Sequence, residues 1–99
     1  MNYSIIILDE VIDELKDAVE YYKNLNPNLQ TKLESDWDDT LDAIVKTPLG
    51  FQIRRKNFRC ISLMQFPYVV VYKVEETTII VYRFIHERKK PQKRYTKRK

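Results

Sequence analysis

Hydrophobic and polar residues in the first quarter of the chain follow two different spacings, and each spacing predicts one element. Residues 3–8 form a short apolar run rich in isoleucine, which predicts a β-strand. Apolar positions then recur every three or four residues, which predicts an amphipathic helix over residues 10–24. Asp9 and Glu10 place acceptors and negative charge where a helix N-terminus favours them.

A second helical stripe begins after Asn26-Pro27. Asn is a preferred capping residue and Pro is favoured at the first helical position, so this pair ends one helix and starts the next. The stripe ends at the Thr47-Pro48-Leu49-Gly50 stretch and consists of Leu29, Leu33, Trp37, Leu41 and Ile44. Because the link between the two helices is so short, we expect an antiparallel hairpin.

From Phe51 onward the spacing becomes that of β-strands. Four candidates follow with short connections, at residues 51–55, 58–64, 66–74 and 77–85. Such tight links favour an antiparallel meander. The predicted fold class is therefore α+β, with an N-terminal strand and an antiparallel two-helix hairpin packed on one face of an antiparallel β-sheet, in the order β-α-α-β-β-β-β. If the last strand is regular, Ile79, Val81 and Arg83 share one face, and Ile80, Tyr82 and Phe84 share the other.

The length of 99 residues fits one domain, which we place at residues 1–90, followed by a basic tail at residues 91–99 that we expect to be mobile. One Cys and one His exclude an internal disulfide and a cysteine- or histidine-rich metal site, so no metal or other cofactor is expected. No apolar run approaches the ~20 residues that span a bilayer. No basic residues precede the isoleucine run, which argues against a signal peptide, so we expect a cytoplasmic protein without a membrane partner.

Charge is distributed unevenly along the chain. Residues 1–50 carry eleven acidic residues and four lysines, a net charge of −7. Residues 51–99 carry fourteen Lys and Arg and three Glu, a net charge of +11. A basic half of this kind favours nucleic acid, a phosphate-rich assembly or an acidic protein as the partner. The alternative is a solvated surface with a basic tail, which is the commoner origin of charge runs.

Cations within and just after the predicted strands are the candidate target-binding residues. They are Arg54, Arg55, Lys56, Arg59, Arg83, Lys89 and Lys90. Strict alternation puts Arg54 and Arg55 on opposite faces, so the whole set does not line one groove. For Arg83, an ion pair with a helix acid and a ligand role are both open. Arg59 has only cations near it in the sequence, which favours a functional surface.

Several of these segments together resemble the RelE/ParE superfamily of bacterial type II toxins, and most closely its ParE, or plasmid-stabilisation, branch. The similarity covers nearly the whole chain in element order. The segments that carry it are Ala18 with Tyr21-Tyr22, Ile44 with Pro48, Arg59, Phe66-Pro67-Tyr68-Val69-Val70-Val71-Tyr72, and His86-Glu87-Arg88 with Pro91. The resemblance implies a toxin that a cognate antitoxin neutralises by wrapping around it and folding on binding.

The resemblance also implies two different targets. RelE-like members cleave messenger RNA on the ribosome, using the RNA's own 2′-hydroxyl and no metal. In that branch Arg88 occupies the position of the arginine that stabilises the transition state, and His86 or Tyr95 is the candidate proton donor or acceptor. A histidine suits this role because its ordinary pKa of ~6.5 lies near neutrality. ParE-like members instead poison DNA gyrase and need no catalytic residues.

We expect gyrase inhibition, with ribosome-dependent RNA cleavage as the alternative. A nucleic-acid- or protein-binding module without toxicity is the third hypothesis. Whether the chain is an enzyme depends on which holds: a gyrase inhibitor is not, whereas a RelE-like toxin is a metal-independent endoribonuclease. Gyrase is preferred because Arg83 and His86 fall on opposite faces of a regular strand, and a bulge near Ile85 is needed to bring them together.

Overall fold

The structure is a computed structural model that describes residues 2–87. Its elements confirm the predicted order of strand, two helices and four strands. They are β1 (Ser4–Ile7), α1 (Asp9–Leu25), α2 (Pro27–Lys46), β2 (Ile53–Arg55), β3 (Phe58–Ser62), β4 (Tyr68–Glu75) and β5 (Thr78–His86). The basic tail predicted at residues 91–99 lies outside the described residues.

The junction between the helices forms as its sequence predicts. The Asn26 side chain accepts a hydrogen bond from the backbone N–H of Asn28 at 2.9 Å, and Pro27 is the first residue of α2. Both features reduce the number of unpaired backbone N–H groups in the first turn of α2, because Asn26 provides an acceptor for one of them and Pro27 has no N–H. No helix within residues 2–87 is long and apolar enough to cross a membrane.

All five strands belong to one sheet, in the order β1-β5-β4-β3-β2. The four C-terminal strands form the predicted antiparallel meander, whereas β1 lies at the edge and pairs in parallel with β5, from Ser4 opposite Thr78 to Ile7 opposite Val81. The sheet is therefore mixed. A parallel pair requires a long connection between its two strands, and here the helix hairpin and the strands β2 to β4 all lie between β1 and β5 in the chain.

The core lies between the helices and one face of the sheet. Leu33, Trp37 and Ile44 of α2 are buried there together with the inward-facing residues of β4 and β5. Trp37 packs edge-on against Phe84, with ring centroids 5.4 Å apart, and Phe84 stacks on Tyr68 at 4.5 Å. Aromatic pairs in these geometries add to the stabilisation from buried area. The other face of the sheet has no helix over it within the described residues.

A buried carboxylate fixes the loop between β3 and β4. Asp36 of α2 is only 2% exposed and accepts hydrogen bonds from the backbone N–H groups of Met64 and Gln65, at 3.1 and 2.7 Å. The loop between Ser62 and Tyr68 has few ladder bonds of its own, so Asp36 supplies acceptors that the sheet does not provide.

A β-bulge in β5 makes the predicted face assignment of the last strand wrong. Val71 lies opposite Arg83, but the next residue of β4, Tyr72, lies opposite Val81, so Tyr82 is an extra residue in β5. Beyond the bulge the alternation is shifted by one residue. Phe84 consequently joins Ile79 and Val81 in the core, and Arg83 lies on the uncovered face.

Candidate target-binding surface

The sheet face opposite the helices carries a half-buried aromatic and aliphatic patch. Phe58 and Tyr82 pack edge-on with centroids 5.0 Å apart, and the ammonium group of Lys73 lies 5.2 Å from the centroid of the Phe58 ring. A depression beside this pair has a volume of about 430 Å³. Its lining consists of Leu8, Glu10, Phe58, Val71, Tyr82, Arg83 and Ile85. Aromatic rings beside cations form a surface that suits stacked bases or an apolar peptide with acidic groups.

Arg83 lies at the edge of this patch and is held by a carboxylate from α1. Its Nε donates to Oε2 of Glu14 at 2.8 Å, and its Nη2 lies 2.6 Å from the same oxygen. The other Glu14 oxygen accepts the backbone N–H of Phe84 at 2.8 Å. Of the two alternatives left open for Arg83, the structure shows the ion pair with a helix acid. The Arg83 side chain nevertheless remains 53% exposed.

His86 lies on the opposite side of the sheet from Arg83. It pairs with Tyr68, whose side chain belongs to the core, and the two rings pack edge-on at 5.0 Å. A bulge near Ile85 is needed to bring His86 and Arg83 together, but the bulge in β5 lies at Tyr82, before Arg83, and the strand is regular from Arg83 to His86. The two residues consequently remain on opposite faces.

Arg59 is engaged with the backbone beside the sheet. Its guanidinium donates to the carbonyl oxygens of Leu49 and Phe51, at 3.2 and 2.7 Å, and its side chain is half-buried. The Tyr72 hydroxyl donates to the carbonyl oxygen of Pro48 at 2.7 Å in the same region. These bonds tie the segment between α2 and β2 to the sheet. A fold role is therefore visible for Arg59, where the sequence favoured a functional surface.

The remaining predicted cations lie at the other end of the sheet. Arg54 and Arg55 are exposed residues of β2, and Lys56 is exposed in the turn after it, with a positive φ of 50°. Arg54 also lines a polar depression together with Cys60, Ser62 and Glu87. Arg88, Lys89, Lys90 and Tyr95, which complete the predicted site, lie outside the described residues. Within residues 2–87 no group of His, Cys, Asp or Glu could hold a metal ion.

A groove runs between α1 and the end of β5, on the helix-bearing side of the sheet. Its volume is about 470 Å³, and its lining consists of Glu14, Asp17, Ala18, Tyr21, Tyr22, Tyr68, Phe84 and His86. We call it the acidic-aromatic groove. The α1 residues recur at positions i, i+3, i+4, i+7 and i+8, so they form one stripe on the helix. That spacing was visible in the sequence, but only the fold shows which strand faces the stripe.

Two buried tyrosines, Tyr68 in the acidic-aromatic groove and Tyr72 near Arg59, are held in the protonated form. Burial raises the pKa of Tyr68 to about 12, and the neighbouring Tyr22 adds to this effect. Burial also raises the pKa of Tyr72 to about 12, although the positive charge of Arg59 opposes it. Such hydroxyls are poor proton acceptors near neutrality, because a general base works best when its pKa lies near the working pH.

Comparison with known proteins gives two matches of different kinds. The family model described as the ParE toxin of the type II toxin-antitoxin system parDE matches residues 5–91. A chain of the solved structure titled "Chromosomal ParDE TA system from P. aeruginosa" is similar in fold, with a TM-score of 0.74 and 16% sequence identity. The similarity covers 85% of this chain and 95% of that one. No curated protein matches.

Proposed function

This chain belongs to the ParE toxin family of type II toxin-antitoxin systems, and on that premise we propose that it acts in the cytoplasm, where it inhibits bacterial growth by poisoning DNA gyrase. Membership in the family makes it the toxin of such a pair, so its first partner is a cognate antitoxin protein.

Within residues 2–87, the placement of Arg83 and His86 is the observation that supports gyrase over RNA cleavage. A metal-independent ribonuclease needs a cation and a proton-transfer group on the same phosphate, within hydrogen-bond reach of the reacting atoms. Arg83 points to the uncovered face and is paired with Glu14, whereas His86 packs against Tyr68 on the other face. A gyrase inhibitor needs only a complementary surface, which does not require these groups to converge.

One feature favours the alternative, a ribosome-dependent messenger RNA endonuclease. Phe58 and Tyr82 present half-buried rings on the uncovered face with Lys73 close to both, 5.2 and 6.0 Å from their centroids. Aromatic rings flanked by cations bind single-stranded nucleic acid by stacking and by backbone attraction. In that case the arginine and proton-transfer groups are the predicted Arg88 with His86 or Tyr95.

Two reactions with the purified protein test the proposal. Supercoiled DNA is incubated with gyrase and the toxin, and translating ribosomes are incubated with the toxin alone. We expect trapped or linearised DNA in the first reaction and intact message in the second. Cut message with unaffected DNA would establish the alternative, and no effect in either reaction, together with normal growth on soluble expression, would favour a binding module without toxicity.

A further inference from the structure

The acidic-aromatic groove presents a carboxylate that the fold itself does not use. Glu14, at one end of the groove, is occupied by Arg83 and by the N–H of Phe84. Asp17, one turn further along α1, is exposed, and none of the described residues forms a hydrogen bond or ion pair with it. The rings of Tyr21 and Tyr22 follow on the same stripe, and Tyr21 is 59% exposed. The groove thus combines negative charge with accessible aromatic surface.

The described part of the chain ends next to this groove. His86 lines it, and the backbone N–H of Glu87 donates to the carbonyl oxygen of Pro67 at 2.8 Å. The ring of Phe66, which precedes that proline, packs on Tyr22 with centroids 4.9 Å apart. A segment that leaves Glu87 therefore begins at the wall of the groove.

The sequence that follows has the complementary charge. Residues 88–99 contain eight Lys and Arg and no acidic residue, with one tyrosine among them. Twelve residues reach up to ~40 Å when extended, which is ample to follow α1 along the groove. α1 itself contains six acidic residues and two lysines.

We propose that residues 88–99 bind back onto the acidic-aromatic groove of the same chain. Lys and Arg side chains pair with Asp17, and their aliphatic stems and guanidinium planes cover Tyr21 and Tyr22. The tether keeps the segment at an effective concentration in the millimolar range, which favours this contact over one with a second molecule. The association is electrostatic and exchangeable, so salt weakens it.

The contact bears on how the protein meets an anionic partner. Cations paired with the acidic stripe are withheld from nucleic acid or an acidic protein until that partner competes for them. Binding to an anionic target then includes displacement of residues 88–99 from the groove. This proposal does not depend on which target the toxin has.

Limited trypsin digestion of the full chain tests the contact, because trypsin cleaves after Lys and Arg. Mass spectrometry follows release of the segment at low salt, where the Debye length is ~30 Å, and near 1 M salt, where it is ~3 Å. We compare the wild type with Asp17→Lys and with Asp38→Lys. The second substitution makes the same charge change at an exposed residue of α2 that does not line the groove. Circular dichroism confirms that each variant is folded.

We expect slow release in the wild type and in Asp38→Lys at low salt, and several-fold faster release in Asp17→Lys or at high salt. Equal rates for the wild type and Asp17→Lys at low salt would overturn the proposal. Protection that rises with protein concentration would also overturn it, because the segment would then occupy the groove of a second copy.

Discussion

Glu14 and Arg83, which lie 69 positions apart in the sequence, form an ion pair where β1 ends and leaves the edge of β5 uncovered. The same carboxylate accepts the N–H of Phe84, the residue that follows Arg83. Glu14 thus accepts the Phe84 N–H in place of a neighbouring strand, and the same carboxylate also orients the Arg83 side chain. The second contact is worth more for stability, because it satisfies a part-buried backbone donor, whereas Arg83 is half exposed.

This arrangement predicts unequal effects from removal of the two partners. Glu14→Ala leaves the Phe84 N–H without its acceptor, so we expect a loss of about 1–3 kcal/mol in the free energy of unfolding. Glu14→Gln keeps an acceptor oxygen and should lose less. Arg83→Ala should lose about 0–1 kcal/mol, as is typical of exposed ion pairs. Urea unfolding measures all three, with Asp13→Ala, an exposed residue of α1, as the control. A loss in Arg83→Ala equal to that in Glu14→Ala would contradict this ranking.

The sequence predicts the order of elements and leaves an ion pair between Arg83 and a helix acid open, but it does not identify Glu14 as the partner, and the reason is physical. Helix and strand spacings are local, and the Asn26-Pro27 junction is a local signal that works as predicted. The Tyr82 bulge depends on how β4 and β5 pair, and nothing in the alternation of β5 alone marks it. The edge position of β1 and the Glu14 contact with Arg83 depend on the packing of distant segments. Alternation therefore places Arg83 wrongly on the face of Ile79 and Val81, whereas its separation from His86 lies beyond the bulge and is unaffected.

Asp36 provides the second stability prediction. Asp36→Ala removes the acceptor of both the Met64 and Gln65 N–H groups in a site that is nearly inaccessible to water. We expect a loss of about 2–4 kcal/mol in the free energy of unfolding, because two donors lose their partner together. Asp38→Ala, exposed on the same helix, should change it by about 0.5 kcal/mol or less. Thermal and urea unfolding of the two variants give the comparison, and similar losses would show that the loop does not depend on Asp36.

The raised pKa of Tyr72 predicts that the free energy of unfolding falls at alkaline pH. Its pKa is raised from 10.0 to about 12, so between these values the folded state holds a proton that the unfolded state has released. Stability from this group is complete below pH 10 and falls as the pH rises toward 12, with a slope of up to ~1.4 kcal/mol per pH unit. Tyr72→Phe removes that slope, and at neutral pH it also loses the bond to Pro48, worth about 1 kcal/mol.

The measurement for Tyr72 is urea unfolding from pH 7 to pH 12. We expect Tyr72→Phe to be the less stable protein at pH 7 and the difference to shrink or reverse near pH 12. Tyr21→Phe, at an exposed ring, controls for loss of a hydroxyl. A constant difference between wild type and Tyr72→Phe at every pH would contradict the raised pKa.

Arg59 and Arg54 separate fold from target binding among the predicted cations. Arg59→Ala should lower the melting temperature, because two carbonyl oxygens lose their donor. Arg54→Glu, at an exposed position, should leave melting nearly unchanged but weaken binding to an anionic target and reduce its salt dependence. Melting curves beside binding isotherms at several salt concentrations show both effects. Unchanged binding and salt slope in Arg54→Glu would remove it from the candidate surface.

His86 distinguishes the two targets by the size of the effect. In an endoribonuclease, His86→Ala removes a general acid or base, and the rate should fall by about 10²–10⁴ with the fold intact. In a gyrase inhibitor the same change removes one ring that packs on Tyr68, so toxicity should fall only in part. Growth of cells that express each variant at equal soluble levels gives the first measure, and the two purified reactions give the second.

His86→Phe is the matched control, since it keeps an aromatic ring in that position but has no titratable proton. We expect His86→Phe to retain most of the wild-type toxicity, because the ring packs on a core tyrosine on the face opposite Arg83. Loss of toxicity in His86→Phe with unchanged melting would contradict gyrase inhibition by surface contact and favour proton transfer by the imidazole.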